Sequence, residues 1–423
     1  MYQIAVIADD FTSVTDCTIS FASQGLSTAA LLTVPSADLP KIQVIGMNTD
    51  SRPLDPREAY RRNLHASQRL KISGYQFIYK SVDSTLRGNL GAEIDGVMDG
   101  LDIPMAFIAP AFPLYGRTTL NGCHYLNGVP LEQSPIAKDP ACPAKESSLQ
   151  KILESQSSRQ VACLGLNLVR ASKEVFAQSV KNLFDHGIRL FILDAQTEDD
   201  LEQISEHTAS FEHCLVVGST GLARHIASHW CPKATVNRPT YRKSNRPIII
   251  SAASVSPVTN EQISHVLMEG HAERCLISPW KAALEDIEEY FLQGIAILQK
   301  GLDLIVQIDS SSQARLTSDT AARQAGYTKA EVSSKIANSM SKLLKRLLDS
   351  GLAGGVALTG GDMAQAALQH LDSPGMELLG EVEPGIPAGW IIGSYNYPAV
   401  TKAGAFGSPA ALCKARQILK TGF

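Results

Sequence analysis

Apolar residues along this chain gather in short, nearly continuous runs, separated by longer stretches in which they recur every three or four positions. Such runs occupy 4–8, 44–47, 77–79 and 105–109 in the first half, and 190–193, 215–217, 248–250, 304–308 and 356–358 further on. Runs without polar alternation predict parallel strands covered on both faces. Between them, 331–348 sets Val332, Ile336, Met340, Leu343, Leu344 and Leu347 on one helical stripe. This alternation predicts α/β architecture. One region breaks the rhythm: 110–143 is rich in Pro, Gly, Asn and Tyr and reads as a long ordered loop or lid.

Length turns one sheet into two. The chain has 423 residues, more than one core usually holds, so two domains are expected, each a largely parallel sheet flanked by helices, with a ligand cleft between them. The polar stretch 237–245, NRPTYRKSN, is the expected boundary. A net charge of -4 gives no electrostatic reason to expect nucleic acid or a membrane surface as partner. The opening MYQIAVIADD has no basic, long-apolar leader, and no stretch has the length of a membrane span. The eight cysteines are scattered without a C-x-x-C pair, which predicts reduced thiols in a cytoplasmic enzyme.

Candidate chemistry concentrates where the predicted strands end, the edge at which open α/β sheets bind ligands. The first strand runs into Asp9 and Asp10, then Phe11, Thr12 and Ser13, with a helix expected from near Thr15. One acid suffices to cap that helix. Two leave a carboxylate to accept from sugar hydroxyls or to take a proton from an attacking one. Asn48, Thr49, Asp50, Ser51 and Arg52 follow the second strand; Lys80, Ser81, Val82, Asp83, Ser84, Thr85, Leu86, Arg87, Gly88 and Asn89 follow the third. Lys80 and Arg87 are candidates for a substrate carboxylate, Arg in bidentate fashion. The same residues would also make a polar loop with surface ion pairs. Three such ends at one sheet edge are the stronger signal.

The second half offers small residues instead. SAASVS at 251–256, Thr359-Gly360-Gly361-Asp362-Met363 and Lys402-Ala403-Gly404-Ala405-Phe406-Gly407 each follow a predicted strand or carry a cation beside glycines. Glycine allows close backbone approach, and a helix N-terminus favours anions, so together the three loops point to a nucleotide phosphate site. Walker, dinucleotide, zinc-protease and nucleophile-elbow signatures are absent. The ten histidines show no metal spacing. His225 and His229 are four apart but read as packing or surface residues, and His124 is the one to test as a substrate contact.

The segments VIADDFTSVTD, KSVDSTLRGNLGAEI and APAFPLYGRTTLNGCHYLNGVPL resemble the N-terminal half of four-carbon acid sugar kinases. VVGSTGLA, SAASVSPVTNEQI, LTGGDMAQAAL, EPGIPAG and TKAGAFGSPAAL resemble the remainder, in the same order. The resemblance implies a sugar-acid-binding domain over 1–238 and an ATP-binding domain over 246–423, with ATP and Mg²⁺ as cofactors. Phosphate would go to the terminal hydroxyl of a four-carbon sugar acid. Carried over by position, Asp9, Arg52, Lys80, Ser81, Val82, Asp83, Ser84 and Arg87 would hold the acid. Ser254, Gly360, Gly361, Asp362, Met363, Gly404 and Gly407 would hold ATP. The DSTLRGN form is closer to threonate or erythronate kinases than to 3-oxo-tetronate kinases, with D-threonate the leading substrate.

Two positions depart from the family: Ser13 and Ala253 stand where glycine is common. A Ser13 forced to positive φ would narrow the pocket. The expected mechanism closes the two domains over the cleft. Lys80 or Arg87 fixes the carboxylate, and Asp9, Asp10, Asp83 or Asp362 orients or deprotonates the far hydroxyl. Asp362, at a helix N-terminus, and Asp10 are the leading catalytic acids. A homodimer is allowed. The rival readings are a non-catalytic sugar-acid sensor and a hydroxy-acid dehydrogenase.

Overall fold

The computed structural model describes residues 3–35, 42–138, 143–231, 244–253 and 256–422. Ser254 and most of the stretch 237–245 lie outside these residues. The chain divides into two units, Met1–Asn237 and Arg238–Phe423.

In the first unit the strands are β1 (Ile4–Ala8), β2 (Thr28–Leu31), β3 (Val44–Asn48), β4 (Phe77–Ser81), β5 (Met105–Ala109), β6 (Arg117–Leu120), β7 (Cys123–Leu126), β8 (Val129–Pro130), β9 (Gln160–Leu164), β10 (Ile188–Leu193) and β11 (Cys214–Gly218). The main sheet runs β2-β3-β1-β4-β11-β5-β10-β9, and every adjacent pair is parallel. Its central strands are buried on both faces, with all five residues of β1 fully buried.

Helix α1 (Phe11–Ala22) starts earlier than the apolar pattern suggests. Asp10 is extended and its carboxylate accepts from the Ser13 amide at 2.7 Å, capping the helix from outside. Helices α2 (Pro56–Ile72) and α3 (Leu90–Leu101) pack closely because Gly96 and Gly100 face α2. A Cβ at Gly96 would sit 2.4 Å from the Tyr60 carbonyl oxygen. Within 110–138 the chain is a small antiparallel sheet, β6-β7-β8, with short 3-10 turns, rather than a long loop.

The second unit holds β12 (Ile248–Ala252), β13 (Ala272–Ile277), β14 (Asp303–Ile308), β15 (Gly355–Thr359), β16 (Gly375–Glu383), β17 (Ile386–Ile391) and β18 (Pro398–Lys402). Their order is β13-β14-β12-β15-β18-β17-β16; the first five are parallel, and β17 and β16 add an antiparallel edge. The helix Lys329–Asp349 opens with a Thr328–Glu331 capping box and buries Val332, Met340, Leu343, Leu344 and Leu347. Among the described residues no helix is long and apolar enough to cross a membrane.

Candidate active site

In the first unit, β1 lies between β3 and β4, so the chain builds to one side of β1 and then crosses to the other. Loops diverge at such a reversal and leave a crevice at the carboxyl ends. Three of the expected clusters meet there. Arg52, from the loop after β3, forks onto Asp9: Nε donates to Oδ2 at 2.7 Å and Nη2 to Oδ1 at 2.9 Å. Its Nη1 donates to Asp10, and Nη2 also reaches Ser13 Oγ at 3.2 Å. A single guanidinium therefore ties both acids of the first strand end.

After β4, Asp83 accepts from Arg87 Nε at 2.7 Å and Nη2 at 3.1 Å, and from Thr85 Oγ1 at 2.5 Å. Gly88 has φ +94° and its Cα side lies against this pair of clusters, where a Cβ would come within 3.3 Å of Asp9 Oδ2 and 3.4 Å of Arg52. Burial pushes Asp83 upward, but the charges of Arg52 and Arg87 outweigh it and hold the carboxylate far below its usual range. Asp10 goes the other way. Although 29% of its side chain is exposed, desolvation raises it, Arg52 only partly offsets this, and Asp9 adds to the rise.

Lys80 and Arg87 separate in role. Lys80 is fully buried: its ammonium sits 2.7 Å from Glu93 and donates to the Ser81 carbonyl at 2.7 Å. Its charge is neutralised inside the fold, because α3 brings Glu93 under the strand end. Glu93 also accepts from Ser51 Oγ at 2.9 Å. The Arg87 side chain is 26% exposed, against 14% for Arg52, making it the most accessible of the three expected cations. Ser81 is buried with Oγ 3.2 Å from Cys17 Sγ, and Val82 is buried with its amide donating to Gly218 at 2.9 Å.

Ser84 keeps a partly open position, and its carbonyl lies 3.0 Å from His124 Nε2. His124 itself is fully buried, with Nδ1 2.9 Å from Thr119 Oγ1, so it braces the Asp83–Arg87 loop from β7. Burial pushes its imidazole down to about 4. Ser13 sits in the first turn of α1 and is not among the residues with positive φ, so the strain expected of it does not arise.

In the second unit the reversal falls at β12, between β14 and β15. A cavity of about 530 Å³ opens there, walled by Ala253 after β12, Ile308 and Asp309 at the end of β14, and Gly360, Gly361, Asp362 and Met363 after β15. Apolar Pro279, Val332 and Ile336 share it with Arg315, Asp319, Arg323 and Lys329. Sequence spacing did not reveal these last four, because they come from helices without a strand-end signature. Gly360 has φ +100° and begins the helix Gly361–His370 with no side-chain cap, leaving the first-turn amides to the cavity edge. Thr359 Oγ1, buried beside them, has no hydrogen-bond partner among the described residues. An uncapped N-terminus beside a buried orphan hydroxyl, in a partly apolar cavity, fits a nucleotide phosphate group.

The 404–407 loop leaves β18, next to β15. Gly404 and Gly407 do not line the cavity. Lys402 turns inward, donating to the carbonyls of Ala403, Gly404 and Phe406 at 2.9, 3.1 and 3.1 Å. Burial lowers it to about 8. Gly407, φ +89°, is packed against Ile386 and Ala411.

Two family models match the chain. A family model described as a sugar-binding N-terminal domain fits residues 4–226, and one described as a nucleotide-binding C-terminal domain fits residues 249–412. The chain is 32% identical over 436 residues to a D-threonate kinase of Cupriavidus necator, covering 98% of this chain and 97% of the relative. A D-erythronate kinase of Heliobacterium modesticaldum is 29% identical over 441 residues, covering 100% and 98%. The crystal structure of a Haemophilus influenzae DUF1537 protein superposes with a TM-score of 0.77 at 26% identity, covering 98% of this chain and 100% of the other. The chain belongs to the four-carbon acid sugar kinase family.

Proposed function

We propose that this protein transfers the γ-phosphoryl group of ATP to the terminal hydroxyl of a four-carbon sugar acid, converting D-threonate to 4-phospho-D-threonate. The unit 1–238 holds the acid and the unit 246–423 the nucleotide. The observation that carries this reading is the Asp9–Asp10–Arg52 and Asp83–Arg87 constellation at the β1 reversal. It offers both signs of charge at one edge, which a ligand with one carboxylate and several hydroxyls requires. D-threonate is favoured by the DSTLRGN form and by the D-threonate kinase among the relatives.

In this account Arg87 meets the substrate carboxylate, while Asp9 and Asp83 accept from the chain hydroxyls. Lys80 works from beneath, holding Glu93 and the strand end in place. Asp10, raised by burial, is the better proton acceptor for the attacking hydroxyl. When bound, ATP supplies the phosphoryl group and Mg²⁺ neutralises its developing charge. Gly360, Gly361 and Met363 present backbone to the phosphates, and Asp309 and Asp362, which both line the cavity, are the carboxylates that would hold the ion.

The test is ATP consumption by the purified protein with Mg²⁺ against D- and L-threonate, D- and L-erythronate and a 3-oxo-tetronate. D-threonate should turn over fastest, and Asp362→Asn should cut that rate by about 10²-fold with ATP affinity within a few-fold. Faster turnover of another acid would replace the substrate. ATP binding without turnover of any acid would move the substrate outside the four-carbon set, and absence of ATP binding would favour the sensor.

A further inference from the structure

The outer face of the first unit carries a cluster that sugar-acid chemistry does not use. The helices Glu198–Thr208 and Thr220–Trp230 lie side by side, with Leu201, Ile204, Leu222 and Ile226 on their buried faces. On the outer side, Glu198, Glu202 and Glu206 repeat every four residues along one helix, and His225 and His229 do so along the other. Spacing within one helix hid the relation, because the partners of each histidine come from the neighbouring helix.

The two histidines differ. His225 has Nδ1 2.6 Å from Glu202 Oε2 and Nε2 3.1 Å from Glu198 Oε2, so each ring nitrogen is already engaged by a carboxylate. His229 has Nδ1 3.0 Å from Ser205 Oγ and 3.2 Å from the His225 carbonyl. Nδ1 is thus engaged by Ser205 and by its own helix, which fixes the ring's orientation. Nε2 then faces Glu202 Oε1 at 3.7 Å and Glu206 Oε1 at 4.0 Å, beyond hydrogen-bond reach of either. One ring nitrogen and two carboxylate oxygens, drawn from two helices, therefore converge on the same small space, a mixed nitrogen and oxygen donor set.

We propose that His229 Nε2, Glu202 and Glu206 form a binding site for a divalent transition-metal ion of the zinc class, with water completing the shell. The three ligand atoms lie within 4.8 Å of one another. Zinc bonds of about 2.0–2.2 Å place ligand atoms roughly 3–4 Å apart around one ion, so small side-chain shifts suffice. An imidazole nitrogen among the donors selects this class over Mg²⁺ or Ca²⁺, which take oxygen. The outer shell is already built: Ser205 and the His225 carbonyl orient His229, and His225 braced by Glu198 orients Glu202. His229 is 25% exposed and both glutamates 44%, so an ion can enter from solvent. Bound there, it staples the two helices.

The experiment is calorimetric titration of the whole chain with ZnCl₂ after EDTA treatment and dialysis, alongside zinc content and thermal unfolding. A single zinc per chain that raises the melting temperature is expected. His229→Gln and Glu206→Gln should each weaken zinc binding by roughly tenfold or more, with circular dichroism unchanged. Glu206→Gln, at an exposed position, remains informative if the histidine variant folds poorly. Absence of zinc binding, or zinc retained undiminished in both variants, would overturn the site.

Discussion

Around β1, every converging strand end carries a charged side chain, and the charges are matched within the fold: Arg52 to Asp9 and Asp10, Arg87 to Asp83, Lys80 to Glu93. Around β12 the strand ends carry Ala253, Gly360 and Gly361 beside an uncapped helix and a cavity, and the acids there, Asp309 and Asp362, face the cavity. The same topological reversal is thus finished in two ways. A small acid with hydroxyls at fixed positions is met by forked side chains, whose geometry discriminates. A phosphate chain is met by backbone amides and a helix end, which recognise charge and need close approach. The cost also differs. Buried ion pairs at the first site must stay complete, since removing one partner strands the other in low dielectric.

That asymmetry can be broken most forcefully at Lys80. Lys80→Met leaves Glu93 buried without its counter-charge and should destabilise the fold by about 3–5 kcal/mol in urea unfolding. Adding Glu93→Leu should recover much of the loss. Recovery of nothing would mean that Lys80 acts chiefly elsewhere.

The next largest effect concerns pH. His124 braces the Asp83–Arg87 loop and is held at about 4 by burial, below its unperturbed value of 6.5. As pH falls the unfolded chain takes up this proton first. Stability is therefore fully present above about pH 6.5 and declines towards pH 4, by ~3 kcal/mol from this residue. Parallel unfolding curves of wild type and His124→Gln across that window should diverge by this slope, and identical slopes would remove His124 from the account. The smallest effect is Ser13→Gly. It removes the hydroxyl that accepts from Arg52 and adds a glycine to the first turn of α1, costing about 1 kcal/mol. Substrate KM should stay within a few-fold; a large change would show that Ser13 shapes the pocket directly.

Much of this was legible in the chain itself, for identifiable reasons. The runs at 4–8 and 105–109 coincide with β1 and β5, because central parallel strands are apolar on both faces. Strand β9 has such a run at 161–164, which the predicted strands did not include, whereas β13 has none. Both are edge strands, half exposed, and in β13 that exposure lets Glu273 and Arg274 interrupt the pattern. The β6-β7-β8 sheet had a signal that composition obscured: Asn121-Gly122 and Asn127-Gly128 each join two paired strands with positive φ at both residues, the pattern of tight hairpin turns. At the sites, spacing located the acids and cations but not their pairing. Glu93 reads as an ordinary helix residue until α3 packs it beneath Lys80. Lys402 looks like a phosphate cation until its amine turns onto its own loop.

The division of labour between the two reversals is tested most directly by titrating Gly360→Val, in a calorimeter, with a non-hydrolysable ATP analogue and then with D-threonate. A β-branched residue cannot hold φ +100° without strain, so the helix end should lose its shape. The account predicts nucleotide affinity lowered by roughly tenfold or more, with D-threonate affinity within about twofold of wild type. Unchanged nucleotide binding, or equal loss of both ligands, would contradict it.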